Sequence, residues 1–167
     1  MKKSLLALSA TAALLLSACS GSSGSLPETG KSELEIAQAL VAAGFDCTAN
    51  ENASTGITGL DVKQWDCDGP QGYTYSAAIF SGEALTEFVE RTCQDLKSSD
   101  NPFRTDVPRL DGYDFAMFVS STEGMATPGT SPDAMETAKL IEAVTPPLEA
   151  LGQALGIPVK TVNELCG

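Results

Sequence analysis

The apolar and polar positions of this chain change rhythm repeatedly, and each change predicts a new segment. Leu5 to Leu16 is a continuous Leu/Ala-rich run behind Lys2 and Lys3. It is too short to span a bilayer as a helix, which needs about 20 apolar residues. Residues 20–31, Ser-Gly-Ser-Ser-Gly-Ser-Leu-Pro-Glu-Thr-Gly-Lys, show no period at all. Their composition predicts a flexible tether with an end-to-end distance of about 20 Å. Helical period begins at Ser32-Glu33-Leu34-Glu35, which fits a capping box. The helix is expected to run to about Ala43, with Leu34, Ala37, Leu40 and Val41 on one face and Gly44 just past its end.

Strand-like alternation follows. Phe45 to Thr48 reads as a short strand, residues 49–56 as a polar loop, and Ile57 to Cys67 as a second strand carrying Leu60, Val62 and Trp65. Asp68-Gly69-Pro70-Gln71-Gly72 is turn chemistry. Tyr73 to Phe80 alternates, with Tyr73, Tyr75, Ala77 and Ile79 on one face, so the two longer strands predict an antiparallel hairpin. Helical spacing returns in Glu83 to Lys97 through Leu85, Phe88, Val89, Thr92 and Leu96, with Cys93 beside that stripe. Residues 98–112 and 121–132 read as long loops on either side of a buried strand, Phe115 to Ser120. The tail reads as broken helix: Asp133 to Val144, an interruption at Pro146 and Pro147, a second piece ending near Gly156, and a short last helix over Pro158 to Leu165. Helix, three strands, helix, strand and helices predict an α+β fold: an antiparallel sheet of about four strands packed mainly on one face against helices, with a helical C-terminal tail.

Residues 1–19 have the parts of an export signal, and Leu16-Ser17-Ala18-Cys19 resembles the lipobox of bacterial lipoproteins. The resemblance implies diacylglyceryl attachment to the Cys19 thiol and cleavage after Ala18. Residues 1–18 are then a lipoprotein signal peptide, 19–31 the lipid anchor and flexible linker, and 32–167 a single globular domain. It also implies that the membrane is one partner, held through Cys19, and that the protein sits on the extracytoplasmic face of the cell membrane. Assigning Cys19 to lipid leaves Cys47, Cys67, Cys93 and Cys166, an even number in an exported chain, which reads as two disulfides. Three pairings are open. Cys47–Cys67 is favoured because the two flank the hairpin-like stretch, and Cys93–Cys166 because it ties the C-terminus to the central helix.

Charge narrows the partners. The chain holds 10 basic and 22 acidic residues, for a net charge of −12, and loss of Lys2 and Lys3 takes it to −14. Nucleic acid, whose phosphates demand a basic face, is excluded, and so is adsorption on anionic lipid. There is no histidine, which removes a Ser-His or Cys-His nucleophile, histidine metal ligands and a histidine pH switch. No Cys-x-x-Cys, Ser-x-x-Lys or Gly-rich phosphate loop is present, so neither a metal nor an organic cofactor is expected. Asp61, Asp66 and Asp68 cluster near the hairpin turn, where a pair of carboxylates is the minimum for acid/base hydrolysis. Turns favour Asp for local backbone bonding as well. Asp66-Cys67-Asp68-Gly69 has part of a calcium-loop pattern, but a glycine at loop position 6 puts Gln64 first and Tyr75 last, which fails the EF-hand. Trp65, Tyr73 and Tyr75 form a possible ligand face, either as an exposed platform or as core. Leu26-Pro27-Glu28-Thr29-Gly30 looks like a sortase motif placed at the wrong end of the chain.

The run Ala43-Gly44-Phe45-Asp46-Cys47, Trp65-Asp66-Cys67-Asp68-Gly69, Ile79-Phe80-Ser81-Gly82 and the amphipathic helix after it resemble small uncharacterised secreted lipoproteins of high-G+C Gram-positive bacteria. That resemblance implies a lipobox, a tether and a cysteine pair, and carries no catalytic residues. The expectation is a lipid-anchored cell-envelope protein, not an enzyme, that binds an unknown protein or envelope ligand. The alternatives are an envelope hydrolase with a carboxylate pair and an accessory solute-binding lipoprotein.

Overall fold

The computed structural model describes residues 26–50, 62–80, 87, 89–91, 93–94, 106–121 and 134–167. Cys19, Asp61, the start of the second expected strand and most of the two long loops lie outside them. The described elements are α1 (Glu33–Ala42), β1 (Asp46–Ala49), β2 (Val62–Asp68), β3 (Thr74–Phe80), β4 (Arg109–Asp111), β5 (Phe115–Ser121), α2 (Ala134–Leu155), β6 (Val159–Lys160) and α3 (Val162–Cys166). Residues 87, 89–91 and 93–94 are helical, within the expected central helix. The class is α+β.

The sheet has six strands in the order β1-β2-β3-β5-β4-β6, not about four. Every neighbouring pair is antiparallel. The two additional strands fall in a stretch read as loop and in one read as helix. β4 is three residues long and β6 two, too short to show a period, and each exists because a neighbour supplies its ladder: β5 to β4, and β4 to β6.

One sheet face carries the main core. Tyr75, Ala77, Phe115, Met117 and Leu110 point at Ile36 and Leu40 of α1 and at Leu140, Val144, Leu148, Leu151 and Leu155 of α2. A smaller cluster on the other face gathers Ala78, Phe80 and Ala116 with Leu26, Val62 and Val89. β3 and β5 are therefore apolar on both faces, and both helical layers flank the sheet.

Helix α2 corrects a second expectation. It runs unbroken through Pro146 and Pro147. Each interior proline costs about 3 kcal/mol by removing a ladder donor and crowding the carbonyl four residues back. The stripe of buried leucines and valine continues on both sides of the prolines, and each such side chain contributes about 1.5–3 kcal/mol on burial. That continuous stripe outweighs the two losses. The Thr145 hydroxyl donates to the Ile141 carbonyl at 2.5 Å within the same turn.

The expected flexible linker also ends earlier than Lys31. Leu26 packs on the outer-face cluster. The Tyr113 N–H donates to the Pro27 carbonyl at 2.8 Å, and the Thr29 N–H donates to Asp114 Oδ1 at 2.8 Å. The Thr29 hydroxyl donates to Asp114 Oδ2. The sortase-like pentapeptide is thus laid against the turn between β4 and β5. Disulfides join Cys47 to Cys67 (Cα–Cα 4.0 Å) and Cys93 to Cys166 (Cα–Cα 5.4 Å).

Candidate functional site

Helix α1 builds one wall of the site. Ser32 caps it: the Glu35 N–H donates to Ser32 Oγ at 3.4 Å, and the Ser32 N–H donates to Glu35 Oε2 at 2.8 Å. The Ser32 hydroxyl also donates to Glu35 Oε2 at 2.6 Å, and this side-chain bond foremost, then the one from the Ser32 N–H, holds the Glu35 carboxyl below its ordinary value of 4.5. At the other end Gly44 takes φ +87°, the left-handed conformation that reverses the chain. The Phe45 N–H then donates to the Leu40 carbonyl and the Gly44 N–H to the Val41 carbonyl, both at 3.0 Å. This Schellman closure delivers Phe45 under the helix and starts β1 alongside it.

The face of α1 that meets the core is only in part the one the spacing suggested. Ile36 and Leu40 are buried, with Ala39 and Ala43 packed beside them. Leu34 is 67% exposed and Val41 72% exposed. Two apolar stripes run along this short helix, and helical period alone cannot say which one faces in. Leu34, Ala37 and Val41 recur at one-turn spacing as a surface stripe.

Beside that stripe lies a cavity of about 120 Å³, lined by Ala37, Leu40 and Val41 of α1, by Phe45, by Asp46 and Cys47 of β1, and by Trp65 of β2. It is well below the roughly 300–1,000 Å³ of pockets that enclose drug-sized ligands. The register places its floor. Cys47 pairs with Cys67 and Ala49 with Trp65. The Asn50 N–H donates to the Gln64 carbonyl at 2.8 Å, so the even positions 46, 48 and 50 are the hydrogen-bonded pairs. Cys47 and Cys67 therefore sit at a close, non-hydrogen-bonded pair, where their disulfide clamps the edge strand to its neighbour.

The three aromatics named as a ligand face separate. Trp65 is half-buried and lines the cavity. Tyr75 is fully buried, edge-on to Phe45 with ring centroids 5.0 Å apart, and is core rather than ligand surface. Burial pushes its phenol up to about 12, and its hydroxyl has no hydrogen-bond partner among the described residues. It leaves the face because β3 is a central strand, covered on both sides. Tyr73 is half-buried at the hairpin turn. It stands four residues along from Ala77, the cross-strand partner of Trp65, a separation of about 13 Å. The turn itself closes with the Gly69 N–H donating to the Tyr73 carbonyl at 2.8 Å.

Asp66 and Asp68 project from the opposite sheet face and are exposed, and Asp66 Oδ2 accepts from the Asn50 side-chain amide at 2.7 Å. They do not border the cavity, where Asp46 is the one carboxylate residue among the described residues. Among the described residues no group of three or more Cys, Asp and Glu side chains is arranged to hold a metal. No described helix is long and apolar enough to cross a membrane. Asp46 pairs with Asp68, so its carboxylate belongs to the other sheet face, and the site chemistry is apolar contact and main-chain pairing. Trp65 was legible in the sequence as a candidate, whereas Val41 was not; its signal was the excess of apolar positions on α1 over what one buried stripe needs.

No protein family, no curated protein and no solved structure matches the chain.

Proposed function

We propose that this chain is a lipid-anchored interaction module of the cell envelope, held through acylated Cys19 and binding a protein partner at the cleft between α1 and β1. The observation that carries the reading is the pair of exposed apolar side chains Leu34 and Val41, on one stripe with half-buried Ala37, beside a cavity that Ala37, Val41, Trp65 and disulfide-bonded Cys47 line. Exposed apolar groups that adjoin an apolar concavity gain free energy when a partner covers them. The small cavity favours one inserted side chain of a larger partner over an enclosed solute. The anchor sets where the partner is met. Cys19 and the pinned Leu26 are seven residue steps apart, a reach of at most about 25 Å.

Site-specific photocrosslinking on intact cells tests this reading. A photoreactive residue at position 41 should capture one defined envelope protein, and the same residue at exposed Glu149 on α2 should not. Capture at neither position, or equally at both, would count against the cleft. The anchor is tested separately: Cys19→Ser should release the protein from the membrane fraction or leave it as unprocessed precursor.

A further inference from the structure

The cleft opens onto a sheet edge, and the geometry points to its occupant. We infer that the α1–β1 groove takes an extended segment of a basic partner protein, which adds to β1 as a seventh strand, antiparallel, with alternating apolar and basic side chains. This rests on the reading of the cleft as the binding surface.

Strand β1 is the sheet's outer edge. Because positions 46, 48 and 50 are bonded to β2, the N–H and C=O groups of Cys47 and Ala49 point away from the sheet. Asp46, Thr48 and Ala49 are exposed and Cys47 is half-buried, so nothing among the described residues covers this edge. An unpaired edge of this kind is a template for another strand. The Cys47–Cys67 bridge holds β1 in place, so little ordering is required of the protein on binding.

The two faces of β1 specify the side chains. Cys47 and Ala49 lie on the face under α1, in line with Cys67 and Trp65. Strand residues added opposite them bring their side chains beside the cavity and Val41, which calls for valine- or leucine-sized apolar groups. Asp46 lies on the other face in line with Asp68, and Thr48 in line with Asp66. The intervening residues of the added strand meet this carboxylate row, which calls for Lys or Arg. The same charges disfavour a second copy of this chain as the occupant, since the whole chain carries −12. All five strand pairs of the sheet are antiparallel, and the added strand is assigned the same sense.

The test uses the full-length protein in detergent and a fluorescein-labelled seven-residue peptide of alternating Lys and Val. Binding is read by anisotropy and by hydrogen exchange of the β1 amides. The alternating peptide should bind and slow exchange at Cys47 and Ala49, which lack sheet partners without it. A peptide of identical composition with its valines and lysines in two blocks should bind at least tenfold more weakly. N-methylation of the valines, which removes the donors aimed at β1, should also cost at least tenfold. Ala49→Pro removes an outward donor that β2 does not use, and should weaken binding to a similar degree with the melting temperature retained. Asp46→Asn should weaken it about two- to fivefold, as an exposed charge pair does. Equal binding of the block peptide would overturn strand addition in favour of plain charge attraction. Protection of Cys47 and Ala49 that grows with protein concentration alone would overturn it in favour of a second copy. If no peptide binds while the residue-41 crosslink still forms, strand addition is wrong and the cleft reading survives. If the crosslink fails as well, both fall.

Discussion

Arg109 and Asp111 make the sharpest energetic prediction. They are neighbours on one face of the short strand β4, two positions apart. Arg109 Nε donates to Asp111 Oδ2 at 2.6 Å and its terminal nitrogen donates to Oδ1 at 2.7 Å. Side-chain exposure is 8% for the arginine and 1% for the aspartate. The guanidinium also lies 5.2 Å from the centre of the Phe118 ring. Removing either partner leaves the other as an uncompensated buried charge, which costs about 3–5 kcal/mol. Replacing both with apolar groups of similar size costs far less, because desolvation of both charges is relieved together. Asp111→Leu and Arg109→Met should therefore each destabilise by about 4 kcal/mol, a large part of the roughly 5–15 kcal/mol available to a domain. The double variant should lie within about 1 kcal/mol of the parent or above it. Urea unfolding with the disulfides intact reads this directly: with a slope near 2 kcal/mol/M, each single change should lower the midpoint by about 2 M. Single variants that lose less than about 1 kcal/mol, or a double variant whose loss equals their sum, would refute the reasoning.

Other expectations follow from single groups. Tyr75→Phe should be neutral or stabilising by up to about 1 kcal/mol in thermal unfolding, because the buried hydroxyl it deletes has no partner among the described residues; a loss of 2 kcal/mol would reveal one. Gly152→Ala should destabilise by about 1 kcal/mol or more despite improved helix propensity, since the added Cβ would stand 2.5 Å from the Ile157 carbonyl oxygen, and equal or higher stability would show that this turn yields freely. Glu35 and Glu164 are both held below 4.5 by bonds from their N-cap residues, Ser32 and Thr161. Their capping contribution is complete above that value and lost as pH falls through the lowered one, so the protection of first-turn amides in α1 and α3, relative to their intrinsic exchange, should fall as the pH drops below 4.5. Unchanged protection down to pH 2 would contradict the capping role.

Much of this fold is legible in the sequence, and the failures have physical reasons. Ser32 and Glu35 predict the start of α1, Gly44 its end, and the turn after Asp68 the hairpin of β2 and β3. Thr161-Val162-Asn163-Glu164 has the same capping pattern, which would have started α3 at its proper place and freed Val159 and Lys160 for the sheet. Strands as short as β4 and β6 have no period to read; only the neighbour they pair with defines them. Pro146 and Pro147 look like a break because local propensity favours one, while the stripe they interrupt is a tertiary quantity. The orientation of α1 was hidden for the opposite reason: apolar residues occupy two of its faces. Leu40 is core as its spacing suggests, while Leu34 and Val41 of the same expected face rim the proposed binding surface.

The most direct measurement of the central claim is the affinity of the protein captured at position 41, purified and titrated against the full-length chain and against Leu34→Glu and Val41→Glu. Both side chains are exposed, so neither change should lower the melting temperature. Each covered side chain is worth about 1.5–3 kcal/mol, so each variant should bind at least tenfold more weakly. Affinity unchanged in both variants would mean that the partner does not cover this face, and the cleft would not be the binding site.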